Sequence, residues 1–448
     1  MIGQILAQMS FVDVFNICVF LIFTLCYFYQ IVYVFVSLTR KPPSRDAKAN
    51  HHYAVLISAR NESAVIADLI RSIRSQNYPQ ELIDIFLVAD NCTDNTAEVA
   101  RNAGAVVYER HNKQKVGKGY GLEYLIEHIW QDFPDAPHEA YFVFDADNVL
   151  DVNYFREMNK TFDSGAIAST SYRNSKNYES NWISAGYATW FLREAKFLSQ
   201  ARFTLNTSCV ISGTGFFIST EVIKREGGWK WHLLTEDIEF SASTILRGER
   251  IAYCPTAILY DEQPVTFRDA WNQRFRWAKG FYQVFWHYGA RLLKGALFGK
   301  KGTRFACYDM LMTISPAMLL TIITVTFNAM ILVLGSMGLI TLGTALTSSA
   351  SSIFFCFFNY SLFMFLFGVL TTYTEWDSIH AKKSKKIGYL FTFPLFMLTY
   401  IPIALVALVK KAEWKQIRHN ISVDVDRFAT AAERPSEGML TQGANDSE

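Results

Sequence analysis

An α/β domain with a mostly parallel sheet, joined to α-helical membrane segments, is the fold class the sequence predicts. Three observations predict it. Short apolar runs alternate with helix-period segments between residues 53 and 147. Charge-free runs long enough to cross a bilayer flank this block on both sides. Hydrophobic residues make up 50% of the chain and aromatic residues 15%, a richness suited to a chain lying partly in lipid.

The first element is a span. Val14 to Thr39 carries no charge, and about 20 apolar residues suffice to cross the hydrocarbon core. It exceeds a signal-peptide core, and no small-residue cleavage site ends it. RKPPSR (40–45) follows, a basic flank with prolines. By the positive-inside rule the chain after residue 40 is cytoplasmic and the N-terminus lies outside.

The soluble block comes next. YAVLISAR (53–60), IDIFLVAD (83–90), AVVYER (105–110) and AYFVFDAD (140–147) read as strands rich in Val, Ile, Phe and Tyr. Between them Ile66, Leu69, Ile70 and Ile73 share one helical face, as do Leu122, Leu125, Ile126 and Ile129. Such an alternation predicts helices covering a mostly parallel sheet, with ligands held at the carboxyl ends of the strands. Those ends carry the unusual residues. Ser58-Ala59-Arg60-Asn61-Glu62 closes the first strand, Asp90-Asn91-Cys92-Thr93-Asp94 the second, and Asp145-Ala146-Asp147-Asn148 the fourth. Asp94 or Asn95 reads as a helix N-cap before TAEVA. Asp145 and Asp147, two residues apart behind YFVF, place dense negative charge at the rim of a buried sheet, which calls for a compensating cation. Mg²⁺ or Mn²⁺, taking hard oxygen ligands and substrate phosphates, fits that pattern.

The other motifs divide between binding and structural readings. GKGYG (117–121) neither follows a strand directly nor has the spacing of a dinucleotide fingerprint, and no GxxxxGK[ST] loop occurs. Lys118, at a helix start, could still meet a diphosphate. ISGTGFFIS (211–219) reads as a glycine-broken strand. TEDIEF (235–240) is either an acidic helix start capped by Thr235 or the carrier of a general base. WNQRFRWAKG (271–280) combines cations with flat rings, suited to a phosphate and a sugar, or to an interfacial helix with an aromatic belt; the two are compatible.

The trailing membrane region begins with Met310 to Thr374, again charge-free, where the polar GTALTSSASS (343–352) reads as a turn between two spans. Lys382, Lys383, Lys385 and Lys386 mark the cytoplasmic side. Ile387 to Val409 contains Pro394 and Pro402 and is followed by Lys410, Lys411, Lys415 and Arg418, so a full crossing and a re-entrant or surface-lying segment both stay open. The tail after about Arg427 is polar and expected to be disordered. A net charge of +2 argues against a nucleic-acid partner. The 7 scattered cysteines form neither a zinc pattern nor a disulfide framework.

In this order the motifs resemble the processive family 2 glycosyltransferases, the membrane synthases of cellulose, chitin oligosaccharide, poly-N-acetylglucosamine and hyaluronan. The resemblance rests on Asp90, Asp145-Ala146-Asp147, Thr235-Glu236-Asp237 and Gln273-Arg274-Phe275-Arg276-Trp277, which matches the family's Gln-x-x-Arg-Trp. It covers most of residues 50–280 and, more loosely, the spans.

The resemblance implies a GT-A fold and inverting transfer from a UDP-sugar to a growing glycan at the cytoplasmic face of a bacterial plasma membrane. Export of the product, with possible accessory subunits, would follow. It places uridine against Ala59, Glu62 and Asp90, and the diphosphate against Lys118 and Asp145. Asp147 would bind the metal and Asp237 act as base. Gln273 and Arg276 would hold the nucleotide; Trp277, Glu236 and the Gly213-Thr214-Gly215 loop would line the acceptor side. It divides the chain into an N-terminal span (1–40), a cytoplasmic GT-A domain (41–265), amphipathic interface helices (266–305), about three C-terminal segments (306–410) and a polar tail (411–448). ISGTGFF departs from the cellulose and hyaluronan synthase pattern, and the soluble half also looks like Gram-positive β-glucan synthases. UDP-glucose is therefore the favoured donor, with UDP-N-acetylglucosamine as the alternative. Transfer of one sugar to a lipid acceptor is a second enzymatic reading. A transporter with a regulatory domain is the non-enzymatic one, disfavoured because the trailing spans carry no charge. Control by a cyclic-nucleotide-binding domain within this chain is not expected.

Overall fold

The computed structural model describes residues 10–411, 419 and 421–423. The chain opens with α1 (Phe11–Tyr27) and α2 (Tyr29–Thr39), separated by Phe28. Ser10 caps α1 reciprocally: its hydroxyl accepts from the Asp13 amide, and the Asp13 carboxylate accepts from the Ser10 amide. Together they form an apolar stretch of 29 residues with mean hydropathy 2.2.

The first half of the domain follows the alternation in the sequence: β1 (Tyr53–Ala59), α3 (Ile66–Arg74), β2 (Ile83–Asp90), α4 (Thr96–Asn102), β3 (Val106–Arg110), α5 (Lys118–Asp132) and β4 (Ala140–Phe144). The second half is less regular: β5 (Val149–Leu150), α6 (Tyr154–Asp163), β6 (Ala168–Ser175), α7 (Trp182–Arg193), a π-turn over Glu194–Ser199, α8 (Gln200–Thr204), β7 (Phe216–Ser219), α9 (Thr220–Glu226), α10 (Glu236–Leu246) and β8 (Ala252–Asp261).

These strands form one eight-stranded sheet in the order β3-β2-β1-β4-β7-β6-β8-β5. Pairing is parallel from β3 through β4 and between β6 and β8. β7 runs antiparallel to both neighbours and β5 antiparallel to β8. The expected mostly parallel sheet is thus mixed. Only the first four strands are joined by helical crossovers with the periodicity the sequence displays; β7 enters from the ISGTGFF loop in the opposite sense.

Side chains alternate across the sheet, so each strand feeds two cores. On one face Ala54, Leu56, Phe86, Val88 and Val143 pack on Leu122, Leu125, Ile126 and Ile129 of α5. On the other, Val55, Ile57, Ile85, Leu87, Phe142 and Phe144 pack on Ile66, Leu69, Ile70 and Ile73 of α3. Both helical faces expected from periodicity are therefore core faces.

A charged cluster secures the amino-terminal entry to the sheet. His51 Nδ1 lies 2.9 Å from Glu139 Oε2 and its Nε2 lies 2.9 Å from Asp163 Oδ1. Burial works against the imidazolium, but the two carboxylates outweigh it and raise the His51 pKa. A raised folded-state pKa adds stability that is fully present below the ordinary imidazole value and lost as pH rises through the folded value. His51→Gln is therefore expected to lower the thermal midpoint more at a pH below the ordinary imidazole value than at an alkaline pH. Thermal unfolding at both pH values checks this.

The helices that follow the sheet are α11 (Phe267–Phe298), α12 (Arg304–Ile314), α13 (Pro316–Ser336), α14 (Leu342–Thr374), α15 (Lys383–Leu398) and α16 (Tyr400–Val409). Among the described residues three helical stretches are long and apolar enough to cross a membrane: Phe11–Thr39, Leu346–Thr374 and Lys383–Val409. The last holds Pro394 within α15 and breaks at Thr399. The GTALTSSASS turn is a correction. That run lies inside α14, and the turn falls earlier, at 337–341, where Gly338 takes φ +73°. Hydroxyls need not break a helix when they bond back to it: Thr347 Oγ1 donates to Gly343 O at 2.8 Å. The tail expected from 411 onward lies outside the described residues apart from Lys411, His419 and 421–423.

A buried ion pair ties the first apolar stretch to the domain. Arg202 Nε and Nη2 donate to Asp309 Oδ2 and Oδ1 at 2.7 and 2.9 Å. Tyr33 and Tyr29 of α2 donate to the same two oxygens at 2.8 and 2.9 Å. Three elements, α2, α8 and α12, thus meet on one carboxylate.

Candidate active site

At the carboxyl ends of β1, β2 and β4, Lys118, Asp145, Gly213, Thr214, Glu236 and Asp237 act on one another through hydrogen bonds or charge, whereas Trp277 packs toward α7 and the apolar helices. Ala59 ends β1 fully buried. Asp90 ends β2, and its Oδ1 accepts from Arg110 Nη1 at 2.7 Å and from Asn91 Nδ2 at 2.9 Å. Burial raises the Asp90 pKa, and Arg110 partly offsets this. The expected cap before TAEVA is divided. Asn95 holds the N-cap position without a side-chain bond, while Asp94 Oδ1 accepts from the Thr96 amide at 3.1 Å.

β4 ends at Phe144, so Asp145 and Asp147 stand on the turn beyond it. Asp145 Oδ1 takes Lys118 Nζ at 2.5 Å; that ammonium also donates to Gly213 O at 2.7 Å. The Asp145 amide donates to Thr214 Oγ1 at 2.9 Å. Asp147 accepts from the Glu262 amide at 3.0 Å and is 5% exposed. Lys118 begins α5 behind Gly117. Burial opposes its charge, but Asp145, Glu236 and Asp237 together raise its pKa.

The Gly213-Thr214-Gly215 loop joins these carboxylates to α10. Its glycines take φ +81° and +66°, and a Cβ at Gly215 would stand 1.8 Å from Leu259 Cδ2, so the loop closes on the sheet only with glycine there. The Gly213 amide donates to Asp237 Oδ2 at 2.6 Å. One loop therefore touches the Lys118–Asp145 pair through a carbonyl and Asp237 through an amide. Asp237 and Glu236 lie in the first turn of α10, with Thr235 at the N-cap position but without a side-chain capping bond. Burial, and then the Asp237 charge, push Glu236 up to about 8. Burial also raises Asp237, against the amides of Ile238 and Gly213 and the Lys118 charge. Both carboxyls are thereby better proton acceptors than free ones.

α11 is a single amphipathic helix. Gly280 lets it approach α10: a Cβ there would lie 2.5 Å from Thr235 Cγ2. Its arginines point to different tasks. Arg274 is 2% exposed and donates to Phe396 O at 3.1 Å and Thr399 Oγ1 at 2.8 Å, fastening α11 to the last span. The Arg276 charge acts on Asp145, lowering it alongside Lys118. Gln273 Oε1 is buried without a hydrogen-bond partner among the described residues. Trp277 packs edge-on against Tyr187 and Phe191 of α7, in a cluster shared with Met364, Phe393 and Phe396 of the spans.

Several residues here were invisible to sequence reasoning. Arg173 pairs with Asp261 through Nε at 2.8 Å and donates to Ser212 O at 3.1 Å. Asp261, raised by burial despite Arg173, reaches about 6. His419 Nδ1 lies 3.0 Å from Glu62 Oε2, with its Nε2 4.0 Å from Asp147 Oδ2. Burial opposes the His419 charge, but Asp147 and Glu62 raise its pKa to about 10. Glu62 in turn is pushed by burial, against His419, to about 7. Ile421 N donates to Glu262 Oε2 at 3.0 Å, so Ile421 reaches the same rim. No short motif surrounds His419; its role depends on a contact 357 positions away in sequence.

The donor set suits a hard divalent cation. Burial raises Glu62 and Asp261, and the charges of Asp147 and Asp145 add to that rise in both. Lys118, Arg173 and His419 already face these carboxylates, and hard oxygen donors of this kind are what Mg²⁺ or Mn²⁺ takes as ligands.

Residues 50–280 match the family described as "Glycosyltransferase like family 2". The chain is 27% identical over 264 residues to a β-monoglucosyldiacylglycerol synthase of a Nostoc species, covering 58% of this chain and 54% of that protein. It is 27% identical over 295 residues to poly-β-1,6-N-acetyl-D-glucosamine synthase of Staphylococcus aureus, covering 63% of this chain and 65% of that one. The chain thus spans from about half to two thirds of the length of these relatives. Among solved structures it is similar to a mannosyltransferase of Pyrobaculum calidifontis in complex with GDP-Man and Mn²⁺, at TM-score 0.45 and 15% identity, over 76% of this chain and 98% of that one.

Proposed function

We propose, for a chain that belongs to glycosyltransferase-like family 2, that it is an inverting hexosyltransferase taking a UDP-sugar and extending a β-linked glycan beside the membrane. One observation carries this reading. A single loop, Gly213-Thr214-Gly215, bonds both to the Lys118–Asp145 pair and to Asp237. The groups needed for a leaving diphosphate and for an attacking hydroxyl therefore stand side by side.

In this reading Ala59, Glu62 and Asp90 receive the uridine, and Lys118, Arg276 and Gln273 the diphosphate. Asp147, with Asp145 or Glu62, holds a divalent cation, which supplies positive charge against the departing phosphates. The acceptor hydroxyl oxygen attacks the anomeric carbon. Asp237 takes its proton, and the bond from that carbon to the diphosphate breaks, with its electrons leaving on UDP. Glu236 and Trp277 border the acceptor, and the aromatic cluster around Trp277 is shared with side chains of the apolar helices. A cluster continuous with the spans favours a growing chain over a released product. UDP-glucose is the favoured donor.

Asp147→Asn is expected to weaken Mn²⁺-dependent UDP binding by about tenfold or more while leaving metal-free binding unchanged. Calorimetric titration with and without Mn²⁺ reads this directly.

The similarity to a β-monoglucosyldiacylglycerol synthase favours a second reading, transfer of one glucosyl unit to a lipid. Incubating the purified chain with radiolabelled UDP-glucose or UDP-N-acetylglucosamine in the presence of diacylglycerol separates the two. Label in a polymer cleaved by a linkage-specific hydrolase supports polymerisation. Label confined to a chloroform-soluble monoglycosyl lipid supports the lipid acceptor, and no incorporation from either donor rejects both.

A further inference from the structure

The sheet has a second cluster of metal-ligating side chains at its other end. His52 directly precedes β1, Asp84 is the second residue of β2, and His138 stands just ahead of β4. These three strands are adjacent and parallel, with Tyr53 level with both Ile83 and Ala140. Their amino-terminal ends therefore bring the three side chains together, on the edge opposite Asp90 and Asp145. β1 is 7 residues long, which separates the two ends by roughly 20 Å.

The three groups converge on one point. His52 Nε2 lies 2.9 Å and His138 Nε2 2.8 Å from the same carboxylate oxygen, Asp84 Oδ2. All three candidate ligand atoms lie within 4.8 Å of one another. The two rings meet edge-on, with centroids 5.1 Å apart and an interplanar angle of 79°. His138 is held in place: its side chain is 3% exposed, its ring packs edge-on against Phe86, and its carbonyl accepts from Thr220 Oγ1 at 2.7 Å. Asp84 is half-exposed, which leaves an entry path from solvent.

We infer that His52, Asp84 and His138 form a binding site for a divalent transition-metal cation such as Zn²⁺, separate from the site that would hold the sugar donor. Two imidazoles and a carboxylate form a three-ligand set that leaves a fourth tetrahedral position to water. Imidazole nitrogens select Zn²⁺, Co²⁺ or Ni²⁺ over the Mg²⁺ preferred by an all-oxygen site. The step needs little movement. Ligands about 2.1 Å from a tetrahedral centre stand about 3.4 Å apart, against 2.8 and 2.9 Å for the present hydrogen-bonded pairs. Each imidazole binds the cation through Nε2 as its neutral Nδ1–H tautomer: a doubly protonated ring releases its Nε2 proton to solvent, and a neutral Nε2–H ring takes up a proton at Nδ1 as it gives up the one at Nε2. A bound cation would pin together the starts of β1, β2 and β4, the strands whose far ends carry Ala59, Asp90 and Asp145.

Calorimetric titration with Zn²⁺ tests this on the full-length, chelator-treated protein in detergent, with Mg²⁺ and UDP in excess to occupy the donor site. The wild type should take up one tight equivalent with a raised thermal midpoint. Asp84→Asn and His52→Gln should each weaken that equivalent by about tenfold or more and remove the thermal shift. Both replace partly exposed side chains, so the test does not depend on altering the buried His138. Identical Zn²⁺ titrations for wild type and Asp84→Asn, or no tight equivalent in the wild type, would overturn the assignment.

Discussion

Replacing Asp237 by Asn is expected to lower sugar transfer by about 10²- to 10⁴-fold while UDP affinity stays within about twofold of wild type. The reason is local. Asp237 Oδ2 accepts from the Gly213 amide at 2.6 Å, and an asparagine oxygen can accept the same bond. The loop and the Lys118–Asp145 pair it touches therefore keep their places, and the ability to take a proton is what disappears. Burial raises Asp237, so the carboxylate that accepts the proton is a stronger base than a solvated one. Glu236→Gln is the control, since Glu236 is the neighbouring carboxyl and is raised to about 8. Turnover of labelled donor and UDP calorimetry on both variants decide which of the two is the base. An Asp237→Asn variant with wild-type turnover would move that role elsewhere.

Arg202→Met is expected to be the most destabilising single substitution in the domain–span contact, at about 3–5 kcal/mol. Arg202 is 2% exposed and pairs bidentately with Asp309, which also receives Tyr29 and Tyr33. Removing the guanidinium leaves a carboxylate buried at the membrane edge with only phenolic donors. The cost comes from that uncompensated charge rather than from the pair's net worth, so Arg202→Met with Asp309→Leu should regain most of the loss. Unfolding in detergent, followed for the single and double variants, separates the causes. A double variant no more stable than the single would assign the loss to packing instead.

The parts of the fold that could be read from the sequence were those with local periodicity. Ile83 to Asp90 is a strand as written, and Ile66, Leu69, Ile70 and Ile73 are all buried on one helical face. The carboxylates at strand ends were legible because an Asp directly after an apolar run marks where a sheet stops. The antiparallel β7 was not legible, since four residues after a glycine turn carry no sign of direction. The turn at 337–341 is not legible because the polar GTALTSSASS run nearby looks like one, yet its Thr347 hydroxyl bonds back to its own helix. Arg110, Arg173, Asp261 and His419 escaped notice because each matters through a partner far away in sequence. Residues flanking a motif can also be read too uniformly. Within Gln273 to Trp277, Arg274 serves the spans, whereas Arg276 acts on Asp145.

The central claim is that Asp90, Lys118, Asp145, Asp147 and Asp237 serve one nucleotide-sugar site beside the spans. Cryo-electron microscopy of the full chain in a nanodisc with UDP and Mn²⁺ tests it most directly. The account predicts uracil density against Ala59 and Asp90, with the diphosphate between Lys118 and a cation on Asp147. Asp237 should stay beside Gly213, facing an open path to Trp277. Nucleotide density elsewhere, or a cation bound away from Asp147, would contradict it.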